Sequence, residues 1–137
     1  MQPTFIGIDP GLSKCGYAAV SESGARLALE VVPAALLDQR LEADMACGGV
    51  HMICVGHATM SDGIVRRVRK RWPQTPVTVV DETNTTLDAR RLYYEDHPPR
   101  GLLRFIPRGL LVPKEPLDGY AALLIVRRYL ASVTNLG

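Results

Sequence analysis

Apolar residues along the chain fall in short runs, and midway the pattern changes from hairpin-like to alternating strands and helices. Phe5–Asp9 is a buried-strand run that ends in a carboxylate. Gly16–Ser21 and Arg26–Val32 read as two further strands, joined by the turn Glu22-Ser23-Gly24. Pro33 sets the first turn of an Ala- and Leu-rich helix over Ala34–Ala46, which Gly48-Gly49 ends. His51–Gly56 is a continuous apolar run of the kind buried in a parallel sheet. Ser61 or Asp62 is placed to cap a helix that carries Ile64, Val65, Val68 and Trp72 at helical spacing and halts at Pro73. Val77–Val80 is a fifth strand followed by Asp81-Glu82, and Thr85 or Thr86 opens a helix through Ala89, Leu92 and Tyr93. The stretch from His97-Pro98-Pro99 to Pro113 reads as an ordered, irregular loop, and Pro116–Leu130 as the last helix. Three consecutive strands followed by strand–helix alternation predict an α/β fold. Its centre is a mixed five-stranded sheet, three antiparallel plus two parallel strands, with helices on both faces.

Length and composition narrow this picture. With 137 residues, 47% of them hydrophobic, the chain is long enough for one well-cored domain over 1–137 and too short for two. A net charge of +2 does not by itself predict a nucleic-acid binder, but the distribution is uneven. From Met60 onward there are 13 Lys+Arg against 8 Asp+Glu, whereas the earlier part has 3 against 6. The basic residues cluster at Arg66-Arg67, Arg69-Lys70-Arg71 and Arg90-Arg91, then at Arg100, Arg104, Arg108 and Lys114. Such asymmetry hints at a polyanionic partner, although a solvated helix face accounts for the Arg66 to Arg71 cluster taken alone. Cys15, Cys47 and Cys54 are odd in number, sit in apolar surroundings and lack Cys-x-x-Cys spacing, so buried reduced thiols in a cytoplasmic protein are expected. No charged leader followed by an apolar core opens the chain, so no signal peptide is expected. Tyr120 to Val126 is stopped by Arg127-Arg128, which leaves no membrane partner.

The candidate chemistry lies in acids at element ends. Asp9-Pro10-Gly11 closes the first strand with a carboxylate and a tight turn; Pro10 fixes its own φ, and Gly11 suits positive φ. Asp-Pro-Gly is also ordinary turn chemistry. Glu82 follows the last strand, and Asp118 lies in the first turn of the final helix. If the first and last parallel strands are near neighbours, Asp9 and Glu82 share a rim, and a helix packed across it brings in Asp118. Three converging carboxylates repel unless a divalent cation lies between them, and Mg²⁺ or Mn²⁺ takes oxygen ligands of this kind. Such ions activate water and stabilise a leaving oxygen in phosphodiester cleavage. The plainer alternative makes Asp118 a helix-start acid favoured by the dipole and Glu82 a solvated loop residue.

Ile8-Asp9-Pro10-Gly11, the block Asp81-Glu82-Thr83-Asn84-Thr85-Thr86-Leu87-Asp88-Ala89-Arg90, and Leu117-Asp118-Gly119-Tyr120-Ala121-Ala122 resemble the YqgF (RuvX) family. Those proteins are RuvC-like nucleases of the ribonuclease H superfamily. The resemblance runs in order over nearly the whole chain. It implies a ribonuclease-H-like fold, a divalent metal (Mg²⁺ or Mn²⁺), and processing of the small-subunit ribosomal RNA precursor (pre-16S rRNA) in the cytoplasm. It also implies that Asp9, Glu82 and Asp118 match the acidic triad that binds metal and carries catalysis, with Asp81 in reserve. RNA is then the partner, with DNA as a further possibility, for a monomer or homodimer.

The chain departs from that family in two places. Gly56-His57-Ala58-Thr59 stands where a Gly-Leu-Pro-Leu-like segment is usual, which puts His57 on the rim as a substrate contact or structural donor. The loop from Pro98 to Pro113 is longer and richer in arginine. Arg100, Arg104, Arg108 and Lys114 either grip phosphates or keep a proline-rich loop solvated; its direct lead into Asp118 favours phosphate contact. Tyr93, Tyr94 and Phe105 are candidates for base stacking or for the core. Two other functions stay open: a RuvC-type Holliday junction resolvase and a non-catalytic nucleic-acid-binding module. Resolvases usually carry a fourth acid three residues after the helix aspartate, where this chain has Ala121. A sugar- or acetate-kinase-like ATPase needs two such domains, and a chain of this length is expected to hold one.

Overall fold

In the computed structural model, which describes residues 3–81, 85–105 and 117–136, the first apolar run forms the central strand β1 (Thr4–Asp9). On one side β1 pairs antiparallel with β2 (Lys14–Ser21), and β2 pairs antiparallel with β3 (Arg26–Pro33). On the other side it pairs parallel with β4 (Val50–Gly56), which pairs parallel with β5 (Val77–Val80). The sheet order is β3-β2-β1-β4-β5. Four helices connect and cover it: α1 (Leu37–Cys47), α2 (Ser61–Arg71), α3 (Thr85–Asp96) and α4 (Asp118–Leu136). The expected α/β class, with its mixed five-stranded sheet, is therefore the one observed.

Strand alternation sorts side chains between two layers. Ile6, Ile8, Tyr17, Ile53 and Val55 face Leu37 and Leu41 of α1 and Ile64, Val65 and Val68 of α2. Ala18, Val20 and Cys54 face Ala122, Leu123, Ile125 and Val126 of α4. Helices thus occupy both faces. The α3 helix packs outside α4, where Ala89, Tyr93 and Tyr94 meet Tyr120. Tyr93 and Tyr94 are accordingly core residues, and base stacking by either is ruled out by burial.

Several boundaries differ from the sequence reading for local reasons. The helix expected from Ala34 starts as a 3-10 turn (Ala34–Leu36), with the Ala34 N–H donating to the Ser13 carbonyl at 2.9 Å. Neither Ser61 nor Asp62 caps α2: Met60 holds that position, and the Ser61 hydroxyl donates to the Ala58 carbonyl at 2.7 Å. A short 3-10 helix (Gly101–Phe105) interrupts the segment expected to be irregular. The last helix begins at Asp118 and continues to Leu136, beyond the expected Leu130. Cys15 and Cys54 are buried free thiols, with burial pushing Cys54 up to about 12. Cys47 is exposed, contrary to expectation, because it ends α1 just before Gly48 turns the chain away. Among the described residues, no helix is long and apolar enough to cross a membrane.

The arginine cluster on α2 is partly an interhelix clamp: Arg67 pairs with Asp38 at 3.1 Å and Arg71 with Glu42 at 2.6 Å, both on α1. A second clamp holds α3. Arg26 of β3 donates to Asp96 at 2.7 Å, and the Tyr120 hydroxyl donates to the same carboxylate at 2.8 Å. Arg26, and then Tyr120, hold the Asp96 carboxyl below its ordinary value. A depressed folded-state value contributes stability above the unfolded-state pKa that is lost as pH falls through the folded one. Asp96→Asn is expected to lower stability near neutral pH by about 0.5–1 kcal/mol, a modest figure because both partners are a third exposed. The deficit should vanish once the pH is below the folded Asp96 value, as urea unfolding across that range will measure.

Candidate active site

The site starts from the end of β1. Phe5 packs on the α4 side, and the missing side chain of Gly7 faces the Ala122 backbone there. By the same alternation Asp9 belongs to the α4 face. Its partner on β2 is Gly16. A Cβ on Gly16 would overlap the Asp118 carbonyl oxygen and would lie 3.1 Å from the Asp9 Cβ. Asp9 and Asp118, more than a hundred residues apart in sequence, therefore close on a single glycine. Two glycines on adjacent strands, Gly7 and Gly16, let the backbone of α4 lie directly on the sheet one helical turn apart, and that seating carries Asp118 to the rim.

The electrostatics of the pair are uneven. Asp118 Oδ2 is buried and has no hydrogen-bond partner among the described residues. The Lys14 ammonium approaches it at 3.6 Å, as an ion pair rather than a hydrogen bond. Beneath the acids lies the Cys15 thiol, pushed up by burial and further by the charges of Asp9 and Asp118. One thiol thus senses both carboxylates. The Asp-Pro-Gly turn that leads into β2 is tight for a reason other than positive φ: a Cβ at Gly11 would overlap the Lys14 carbonyl oxygen.

The remaining expectations divide. Glu82, Arg108 and Lys114 lie outside the described residues. Among the described residues no group of three or more His, Cys, Asp or Glu side chains is arranged to hold a metal ion. The first and last parallel strands are near neighbours, with β4 alone between them. Their carboxyl ends share one rim, since Ile8 pairs with Val55 and Gly56 with Val80. At that rim His57 is exposed, and its backbone N–H donates to the Val80 carbonyl at 2.9 Å. Asp81 is exposed too, and its carbonyl accepts from Arg128 at 2.6 Å. Arg100 and Arg104 are exposed around the 3-10 helix, where the Arg104 guanidinium lies over the Phe105 ring at 4.9 Å. Phe105 is 73% exposed and is the aromatic of the three candidates that a base can reach.

Lys14 and the paired glycines were missed from sequence, yet both left a signal. Glycine inside an apolar strand marks a bulge or a close backbone approach, and Gly7 and Gly16 are such glycines. Compared with known proteins, the chain matches no protein-family model and no curated protein.

Proposed function

We propose that the chain is a divalent-metal-dependent nuclease that hydrolyses phosphodiester bonds, acting in the cytoplasm on RNA and specifically on the small-subunit ribosomal RNA precursor. One observation carries this reading: Asp9 and the Asp118 backbone, from distant elements, meet over Gly16, and Asp118 Oδ2 is buried without a hydrogen-bond partner among the described residues. Hard oxygen donors of this kind suit Mg²⁺ or Mn²⁺, which Asp9 and Asp118 would hold together with Glu82, the third acid implied by the YqgF resemblance. When bound, the cation supplies an activated water and offsets charge on the leaving oxygen. The chain's own groups supply position: Arg100 and Arg104 for backbone phosphates, Phe105 for an unpaired base, His57 at the rim.

RNA rather than a four-way DNA junction is favoured by Ala121, which stands where junction resolvases place a further acid. The test is cleavage of labelled single-stranded RNA, single-stranded DNA and a four-way junction, each with Mg²⁺, Mn²⁺ or EDTA. Metal-dependent RNA cleavage that Asp118→Asn abolishes is the expected result. Binding without cleavage in either metal would leave a nucleic-acid-binding module, and symmetric junction cleavage with RNA ignored would make the protein a resolvase.

A further inference from the structure

We infer that Lys14 is the resident counter-ion of Asp118, holding that carboxylate in the metal-free protein and leaving it when a divalent cation binds. The inference rests on the metal-site reading above and adds to it a built-in competitor.

Three observations carry it. The first is need. A carboxylate oxygen withdrawn from water without a hydrogen bond is costly, and among the described residues Asp118 Oδ2 is in that position. The second is placement. Lys14 precedes Gly16 by two residues on β2, so it stands on the face where α4 docks. Its backbone is held from two directions: Lys14 pairs with Pro33 of β3, and its carbonyl packs where Gly11 lacks a side chain. The preceding Ser13 carbonyl accepts the Ala34 N–H at 2.9 Å. The ammonium therefore has a fixed anchor and a flexible stem.

The third observation is the weakness of the hold. At 3.6 Å the Lys14 and Asp118 groups attract by charge alone, and the lysine side chain is 51% exposed. Lysine is a compact point charge on a stem with much rotamer entropy to regain on release. An arginine would grip the carboxylate through a bidentate fork and let go less readily. An ammonium and a dication cannot both sit against one carboxylate oxygen without strong repulsion. Metal binding at this rim is then an exchange, in which lysine leaves and the cation enters. The released ammonium remains beside the rim, where a phosphate of the substrate would meet it.

The test measures Mn²⁺ affinity of the full chain by calorimetry, with no substrate present. Lys14→Met keeps the stem and removes the charge. It is expected to bind Mn²⁺ about three- to ten-fold more tightly than the wild type, the scale of losing one part-exposed charge pair. Lys14→Arg should bind no more tightly than the wild type. On an Asp118→Asn background, Lys14→Met should add nothing, because the carboxylate it competes for is gone. Without metal, Lys14→Met should melt below the wild type, and Mn²⁺ should reverse that order. Equal or weaker binding by Lys14→Met, with the wild-type site intact and sensitive to Asp118→Asn, overturns the exchange and leaves the nuclease reading standing. Absence of Mn²⁺ binding in the wild type and Lys14→Met alike overturns the metal-site reading itself, and the exchange with it.

Discussion

Gly16→Ala is expected to unseat the start of α4 and to abolish the site with it. The added methyl would overlap the Asp118 carbonyl oxygen, which belongs to helix backbone and not to the tip of a flexible side chain. Relief requires α4 to lift from β2, and α4 is the helix whose Ala122, Leu123, Ile125 and Val126 fill one layer of the core. Overpacking of this kind costs about 2–3 kcal/mol, which for a domain of this size lowers the melting temperature by about 5–10 °C. Gly7→Ala makes the informative comparison. Its methyl would overlap the Ala122 carbonyl, one helical turn further along α4. The two variants should lose similar stability, but Gly16→Ala should lose more Mn²⁺ affinity, because only there does the displaced backbone belong to Asp118. Thermal melts paired with Mn²⁺ titration below the melting range measure both. A Gly16→Ala protein that melts like the wild type would mean that α4 does not lie on β2 as described.

Why some of this could be read from sequence and some could not follows from the range of the interactions involved. Strands β1 to β5 were legible because each is an apolar run bounded by turn residues, and their alternation with helices fixes a mixed sheet with few topologies open. Asp9 was legible as a rim acid because a strand end and a turn are local facts. The meeting of Asp9 with Asp118 was not local: it depends on α4 lying close enough for backbone to touch Gly16, which periodicity does not encode. That β1 and β5 would be near neighbours was a condition and not a deduction, and the sheet places β4 alone between them, paired parallel to both. Lys14 escaped notice for a similar reason, since a lone lysine at a strand start carries no pattern until its partner arrives from the far end of the chain. Tyr93 and Tyr94 show the converse limit. Aromatic residues beside arginines look like a stacking surface until α4 covers them with Tyr120.

Asp9→Asn is expected to reduce metal-dependent cleavage by at least about 100- to 1,000-fold, the scale on which one preorganised electrostatic contact to a transition state is lost. The fold should survive, because the substitution preserves shape at the end of a strand whose backbone pairing to Gly16 is unaffected. Added Mn²⁺ should raise the wild-type melting temperature and leave that of Asp9→Asn nearly unchanged, since a ligand stabilises only the state it binds. Cys15 offers an independent reporter. The Asp9 charge helps to push its thiol up, so neutralising Asp9 should bring the Cys15 pKa down, by an amount readable from its Cβ chemical shift across a pH titration. Loss of cleavage together with that downward shift would place the lost charge at the rim over Gly16. Cleavage that persists in Asp9→Asn would remove the acidic pair from the chemistry, even if the thiol shift were seen.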